Sequence, residues 1–158
     1  MNVTYADIIR KVNDTLATAY PNIKRYGNDT LDKAIPPYFF VELLPLGVDR
    51  ETKMIRNKRA TVYITYIQRV PDQVDQLEKV ETLMDAFGMK LKFSRTIPGT
   101  EKTESRWLLV LDYSHLFTGE NMNDLQISFR LDWWEDMQEA PTEDLMLNFH
   151  TTYNQEGD

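Results

Sequence analysis

The sequence predicts a single α+β domain in which a mainly antiparallel sheet carries two helices on one face. Residues 4–19 and 72–88 show apolar residues at helical spacing, and several other segments alternate apolar and polar residues as β-strands do. The predicted order is α-β-β-β-α-β-β-β, which is typical of the α+β class. A chain of 158 residues is most economically one domain.

The first helix is predicted from a capping signal followed by an apolar stripe. Thr4 is suited to the N-cap, Asp7 follows three residues later, and Pro21 ends the segment. The predicted buried stripe contains Ile8, Ile9, Val12, Leu16 and Ala19.

The second helix is predicted between Asp72 as N-cap and Gly88 as a left-handed stop. Its predicted buried stripe is Val74, Leu77, Val80, Met84 and Phe87. The predicted solvent side is Asp75, Lys79, Thr82 and Asp85. The stripe is expected to pack on the inner face of the last strand, and Leu77→Ala to cost about 2–5 kcal/mol, as core truncations do.

Six segments are predicted as strands: "NIKRYGN", "YFFVELL", "RATVYITYIQ", "KLKFSR", "RWLLVLDY" and "LQISFRLDWW". The third is expected to pair with residues 38–44. In the last, the residues predicted to face inward are Leu125, Ile127, Phe129, Leu131 and Trp133. Trp133 and Trp134 are therefore expected on opposite faces.

Composition excludes several classes of protein. The chain has no cysteine, which excludes disulfides, thiolate catalysis and cysteine-ligated metal sites. No apolar run approaches the roughly 18 residues of a membrane helix, and we expect a soluble protein made in the cytoplasm, with no membrane partner. The formal charge of -7 argues against general attraction to nucleic acid.

Candidate catalytic residues are few. His115 and His150 lack metal-ligand spacing and are interpreted as structural, so no metal, cofactor or catalytic residue is assigned. Glu42 is either a general base with a raised pKa or, preferably, an acid that meets solvent or an arginine. The acids of "DWWED" are interpreted as a solvated strand end in preference to a hydrolytic pair. We therefore expect no enzyme.

Charge is distributed unevenly along the chain. Residues 46–59 are predicted to form a charged loop, whose basic residues are Arg50, Lys53, Arg56, Lys58 and Arg59. From Leu131 to Asp158 the chain has acids but no Lys or Arg. One interpretation is an ordinary solvated loop and an acidic tail. The other is that the basic loop of one copy contacts the acidic end of the next copy.

The end of the chain is predicted as an extended arm. Residues 1–139 are predicted to form the domain and residues 140–158 the C-terminal arm. Its apolar or aromatic residues recur with a period near two: Leu145, Leu147, Phe149 and Tyr153. The arm either folds back on its own sheet or, as we prefer, lies along an exposed edge of a neighbouring subunit. Leu147, Phe149 and Tyr153 are thus predicted subunit-contact residues, with the five basic side chains.

The chain resembles the small tail terminator proteins of tailed phages and of phage-like particles of Gram-positive bacteria. The resemblance covers Tyr5 to Trp134 and lies in "YPNIKRYG", "PPYFFVELLP", "KRATVYITYI" and "LLVLDYSHLF", separated by a charged loop and an acidic helix. It implies a virion protein at the head-proximal end of the tail. The expected form is a hexameric ring that caps the tail tube, stops its polymerisation and presents a surface to the head or neck.

The same resemblance implies the partners. They are other copies of the chain, the tail tube protein, a neck or connector protein and, in a contractile particle, the sheath, with DNA only in transit. The resemblance brings no catalytic residues. Two alternatives stay open: a ring protein of the neck or head–tail connector, and a small binding module or enzyme with a pocket around Glu42 or His115.

Overall fold

The computed structural model describes residues 1–27, 32, 34–52, 55–97, 99, 101–120 and 123–136, and all structural statements below concern these residues. They form an α+β domain whose elements follow the predicted order. The helices are α1 (Tyr5–Ala19) and α2 (Gln73–Phe87). The strands are β1 (Lys24–Tyr26), β2 (Tyr38–Arg50), β3 (Ile55–Ile67), β4 (Lys90–Thr96), β5 (Thr103–Thr118) and β6 (Asp124–Asp136).

Helix α1 begins with the predicted capping box. The Thr4 hydroxyl oxygen accepts a hydrogen bond from the Asp7 N–H at 3.1 Å, and the Asp7 carboxylate accepts one from the Thr4 N–H at 3.0 Å. These two bonds satisfy donors that the first turn of a helix otherwise leaves unpaired. Ile8, Val12 and Leu16 are fully buried, so the predicted stripe is confirmed at these positions.

The six strands form one sheet in the order β1-β2-β3-β6-β5-β4. Only β1 and β2 are parallel, and the other neighbours are antiparallel. Residues 38–44 pair with residues 61–67, as predicted. The predicted loop of residues 46–59 is wrong for most of its length, because β2 and β3 continue as a hairpin to Arg50 and Ile55. The polar sequence of β3 forms a strand there because β6 pairs along it as far as Asp136.

One face of the sheet is covered by both helices and forms the core. Along β6 the inward residues are buried as predicted: Leu125, Ile127, Phe129, Leu131 and Trp133. Neighbouring strands contribute Phe39, Val62, Ile64, Leu91 and Leu108 to the same cluster. The core therefore lies between the helices and the central strands.

Helix α2 packs on a different face from the predicted one. Val74, Leu77 and Met84 are exposed by 67%, 46% and 47%, so their predicted burial is wrong. The buried residues are Gln76, Lys79, Val80, Leu83 and Phe87. Positions 76, 80, 83 and 87 satisfy helical periodicity as well as positions 77, 80, 84 and 87 do, so periodicity alone does not select between them.

The expectation that Lys79 faces water is also wrong, because its side chain is 9% exposed. Its ammonium nitrogen lies 4.8 Å and 5.0 Å from the ring centres of Tyr20 and Tyr66, and 2.6 Å from the Asp75 carboxylate. Aromatic faces and a carboxylate compensate an ammonium for lost hydration. Gln76 is likewise satisfied, because its side-chain amide donates to the Asn123 carbonyl.

Among the described residues, no helix is both long and apolar enough to cross a membrane.

Candidate subunit-contact surfaces

The β2–β3 hairpin carries four of the five predicted basic contact residues, and Lys53 lies outside the described residues. Arg56 and Lys58 occur on the same face of β3 as Val62 and Ile64, because side chains alternate along a strand. Arg50 pairs in register with Arg56 and is exposed. Arg59 lies on the opposite face of β3 and contacts Asp49 of β2.

Glu135, near the end of β6, forms ion pairs with two of these basic residues. One of its oxygens lies 2.6 Å from the Lys58 ammonium and 3.1 Å from the Arg56 guanidinium. The other accepts hydrogen bonds of 3.1 Å from the Trp133 indole N–H and from the Val3 N–H. The side chain is only 1% exposed, so the predicted solvated strand end is wrong for Glu135.

The Glu135 carboxylate is held in its charged form. Burial alone would raise its pKa, but the hydrogen bonds from Lys58, Trp133 and Arg56 outweigh burial, and the pKa is lowered. One acid from the acidic end of the chain thus satisfies two hairpin cations within the same subunit. Contact of Arg50, Arg56, Lys58 and Arg59 with a neighbouring subunit stays a prediction.

Along β2, the hairpin exposes apolar side chains at an open sheet edge. Strand β1 pairs only with residues 38–40 of β2, so no described strand pairs with the outer edge of β2 from residue 41 onward. Leu44, Leu46 and Val48 are 49–50% exposed there. The register shifts between Pro45 and Gly47, which is the irregularity of a β-bulge.

The sheet face opposite the helices is the second exposed surface. Trp107, Leu109 and Trp134 are 58%, 50% and 55% exposed. Trp133 is buried on the helix side, so the prediction that the two neighbouring tryptophans face opposite ways is confirmed. No helix of the described residues covers this face.

The third exposed surface is the outer side of α2. Val74, Leu77 and Met84 form a stripe at helical spacing, and the exposed Val70 precedes the helix. This apolar stripe is the one that periodicity predicts as core. Its exposure leaves a helix face available for contact with another protein.

The candidate catalytic residues are not brought together. Glu42 lies half-buried on β2, pairs in register with Tyr63 and lines a groove of about 350 Å³ with Leu43, Leu44, Tyr63 and Gln126. His115 lies exposed on β5. Within the described ranges, no group of three or more His, Asp or Glu side chains could hold a metal ion.

Besides Lys53, five residues singled out from the sequence lie outside the described part of the chain: Leu145, Leu147, Phe149, His150 and Tyr153. The sequence-based interpretation does not include the contacts of Glu135 with Val3, Lys58 and Arg56. The signal for Glu135 was present, because the inward alternation of β6 continues from Trp133 to position 135. The same alternation on β3 runs back from Val62 to Lys58 and Arg56.

A comparison with protein-family models gives one finding about identity. Residues 7–107 match the model described as "Phage tail terminator protein". No curated protein matches the chain. The matched region runs from α1 through α2 and β4 into β5, and it covers more than half of the chain. The chain therefore belongs to the phage tail terminator protein family.

Proposed function

We propose that this protein forms a hexameric ring that caps the tail tube and ends tube polymerisation. The ring also provides the attachment surface for the head or neck. Its partners are then other copies of itself, the tube protein, a neck or connector protein and, in a contractile tail, the sheath. The protein is placed in the virion, at the head-proximal end of the tail.

The observation that carries this proposal is that the subunit exposes three separate apolar surfaces. They are the edge of β2 at Leu44, Leu46 and Val48, the outer sheet face at Trp107 and Trp134, and the outer side of α2. A subunit of a cyclic ring needs two different surfaces, one for each neighbour. A third surface is needed for the end of the tube. A protein that works as a monomer rarely leaves several apolar surfaces uncovered.

The charge of the chain suits a ring around passing DNA. DNA moves through a channel without sticking when the lining is acidic or neutral, and the net charge of -7 allows such a lining. Within the subunit, Glu135 forms ion pairs with Arg56 and Lys58, and Asp49 forms one with Arg59. The hairpin still exposes Arg50 and the apolar side chains of the β2 edge, so we place it at a subunit or tube contact, away from the channel.

Catalysis has no part in this proposal. His115 is exposed on β5, and strands β3 and β6 lie between it and Glu42 on β2, so the pair offers no nucleophile with a base. We expect His115→Gln and His150→Gln to leave particle assembly intact. Loss of assembly in a folded variant of either kind would contradict a purely structural role.

The test is the length of tails made with and without the protein. Particles produced without it are expected to contain overlong tubes, and the wild-type protein to restore uniform length, as measured by electron microscopy. A hairpin variant, Leu46→Asp with Val48→Asp, is expected to fold but to leave overlong tubes. The control is Ile35→Asp, at an apolar residue that is 62% exposed and lies outside the helices, the strands and the three apolar surfaces.

Native mass measured on the purified protein and on isolated tails gives the ring stoichiometry. Uniform tube length in particles lacking the protein would overturn the capping role. A ring found between the head and a separate tail cap would instead place the protein in the neck.

A further inference from the structure

Strand β4 is the last strand of the sheet, and its outer edge is open. The Val110 N–H donates to the Met89 carbonyl at 3.0 Å, which fixes the hydrogen-bond pattern between β4 and β5. Because antiparallel pairs alternate, the main-chain groups of Lys90, Lys92, Ser94 and Thr96 point away from β5. No strand of the described residues pairs with them on that side. The edge can therefore accept another strand.

Helix α1 runs beside this edge and leaves a groove of about 760 Å³ between them. The groove is lined by Arg10 and Lys11 of α1 and by Lys92 and Arg95 of β4, against two acids, Asp7 and Asp14. Both oxygens of Asp7 already face partners within the chain, Thr4 and Arg10. No described carboxylate lies within ion-pair distance of Lys11, Lys90, Lys92 or Arg95. The groove and the edge thus carry more basic than acidic side chains, although Arg10 is paired with Asp7 and the Lys92 ammonium lies 5.6 Å from the centre of the Trp107 ring.

The other open edge, on β2, has a different charge. Between residues 41 and 50 it carries Glu42 and Asp49 against a single basic residue, Arg50. Strand β4 carries Lys90, Lys92 and Arg95 and no acid. An extended acidic segment therefore fits the β4 edge better than the β2 edge.

The C-terminal arm is such a segment. Residues 140–158 contain Glu143, Asp144, Glu156 and Asp158 and no Lys or Arg. Leu145, Leu147 and Phe149 recur with the period of a strand, and Leu91 and Phe93 on β4 alternate in the same way on the core side. Main-chain bonds would hold the arm, and its charge would select the basic edge.

The arm of a neighbouring subunit suits this edge better than the arm of the same chain. Because β6 and β4 are both antiparallel to β5, β6 ends at the end of the sheet where β4 ends and β5 begins. At that end Glu104 lies 3.5 Å from the N-terminal amine and pairs in register with Arg95, so charge does not exclude an arm that folds back on its own sheet. The proposed ring decides for the neighbour, because each subunit of a ring needs a contact that reaches the next subunit.

We propose that the open edge of β4, with the groove beside α1, binds the acidic C-terminal arm of an adjacent copy of the chain as an added strand. This inference rests on the proposed ring, and it replaces the hairpin of residues 46–59 with β4 as the edge to which the arm binds. Each subunit then supplies one arm and one edge, which is a head-to-tail contact that closes into a ring.

Cysteine cross-linking tests the contact, since the natural chain has no cysteine to interfere. Full-length Ser94→Cys, on β4, is mixed with full-length Asn148→Cys, in the arm, and treated with a short bismaleimide. Met146→Cys and His150→Cys sample the neighbouring registers. The expected product is a covalent dimer that contains one chain of each variant. Leu46→Cys on the β2 edge is the matched control and is expected to give little dimer.

Charge reversal tests the recognition. Lys92→Glu with Arg95→Glu is expected to reduce the cross-linked fraction about tenfold, because favourable exposed charge pairs become repulsive. Lys24→Glu with Arg69→Glu changes the net charge equally at exposed positions away from β4 and is expected to leave cross-linking unchanged. Equal loss in both variants would mean that only net charge matters, and would overturn the assignment of the edge.

The remaining outcomes separate this inference from the proposed function. Cross-linking to Leu46→Cys in place of Ser94→Cys would assign the arm to the β2 edge and overturn the inference. Cross-linking only when both cysteines are on one chain would assign the arm to its own subunit, with the same consequence. Rings that cap tubes but give no cross-link between the arm and β4 would overturn the inference and leave the proposed function unaffected. A cross-linked dimer in a protein that does not limit tube length would support the inference and overturn the proposed function.

Discussion

Two lysines, one near each end of α1, have nearly the same surroundings. The Lys58 ammonium lies 5.4 Å and 5.9 Å from the ring centres of Tyr5 and Trp133 and 2.6 Å from Glu135. The Lys79 ammonium lies over Tyr20 and Tyr66 and 2.6 Å from Asp75. Tyr5 is the first residue of α1 and Tyr20 is its C-cap, so each cluster fixes one end of that helix.

The clusters differ in the burial of the carboxylate. Glu135 is 1% exposed and accepts from four donors on three segments of the chain. Asp75 is 33% exposed and lies one helical turn before Lys79 on α2. Removing one partner of an ion pair costs most when the other partner is left charged and away from water, and this holds for the Glu135 cluster more than for the Asp75 cluster. The Glu135 cluster should therefore be the more important of the two for folding.

The largest effect is expected from Glu135→Gln. This change leaves the Lys58 ammonium, whose side chain is 12% exposed, without its anion, and should cost about 3 kcal/mol of unfolding free energy. Urea unfolding of the purified protein measures the loss. Glu104→Gln removes a half-exposed carboxylate near the N-terminal amine and is the control, with a loss under about 1 kcal/mol. Equal losses of unfolding free energy in Glu135→Gln and Glu104→Gln would show that burial of the carboxylate does not set the cost of its removal.

A smaller effect is expected from Lys79→Ala, about 1–2 kcal/mol. The substitution removes two cation–aromatic contacts and the packing of the lysine stem, while Asp75 is left with solvent and with the Tyr66 hydroxyl and the Gln68 amide. Lys79→Met, which keeps the stem, should recover part of the loss. A loss from Lys79→Ala as large as that from Glu135→Gln would show that carboxylate burial does not rank the two clusters.

Acidification should weaken both clusters without removing any side chain. At each carboxylate burial alone would raise the pKa, but hydrogen bonds outweigh it and lower the pKa below the ordinary values of 4.5 for Glu135 and 3.8 for Asp75. Their stabilisation is therefore complete above about pH 4.5 and is lost as the pH falls through the lowered pKa values. Unfolding midpoints measured from pH 6 downward should fall less steeply in Glu135→Gln. An unchanged slope would contradict the lowered pKa of Glu135.

The smallest effect on the subunit itself is expected from Leu77→Ala, under about 1 kcal/mol, because Leu77 is 46% exposed. Leu83→Ala, at a fully buried position of the same helix, should cost about 2–5 kcal/mol. If the outer side of α2 is a contact surface, Leu77→Ala should still impair ring formation, which native mass detects. A loss above 2 kcal/mol in the isolated subunit would show that the sequence-based stripe was correct.

Much of the fold follows from local pattern. Thr4 and Asp7 indicate the start of α1, and the alternation of β6 assigns each of its side chains to a face, including Trp133 and Trp134. The rotation of α2 could not be predicted, because two stripes at helical spacing share Val80 and Phe87, and the buried one also contains Gln76 and Lys79. The choice between them depends on how Lys79 and Gln76 meet partners from other elements, Tyr20, Tyr66 and Asn123.

The contact surfaces were less predictable than the fold. The basic residues of positions 46–59 were recognised from composition, but composition does not reveal that Arg56 and Lys58 have a partner in the same subunit. The alternation of β3, continued four and six residues back from Val62, and that of β6, continued two residues beyond Trp133, place both on the face of Glu135. The open edge of β4 had no signal in its own segment, since a strand becomes an edge only through the order of the whole sheet.

The position of β6 has a mechanical consequence for the arm. Strand β6 is central, pairs with β3 on one side and β5 on the other, and leads directly into the C-terminal segment. Hydrogen bonds in these ladders run perpendicular to the strands, so a pull along β6 loads many of them in shear at once and does not peel them one by one. Tension applied to the C-terminal segment would thus be shared by the β3–β6 and β5–β6 ladders, and the Glu135 cluster lies at the end of β6 where the load enters.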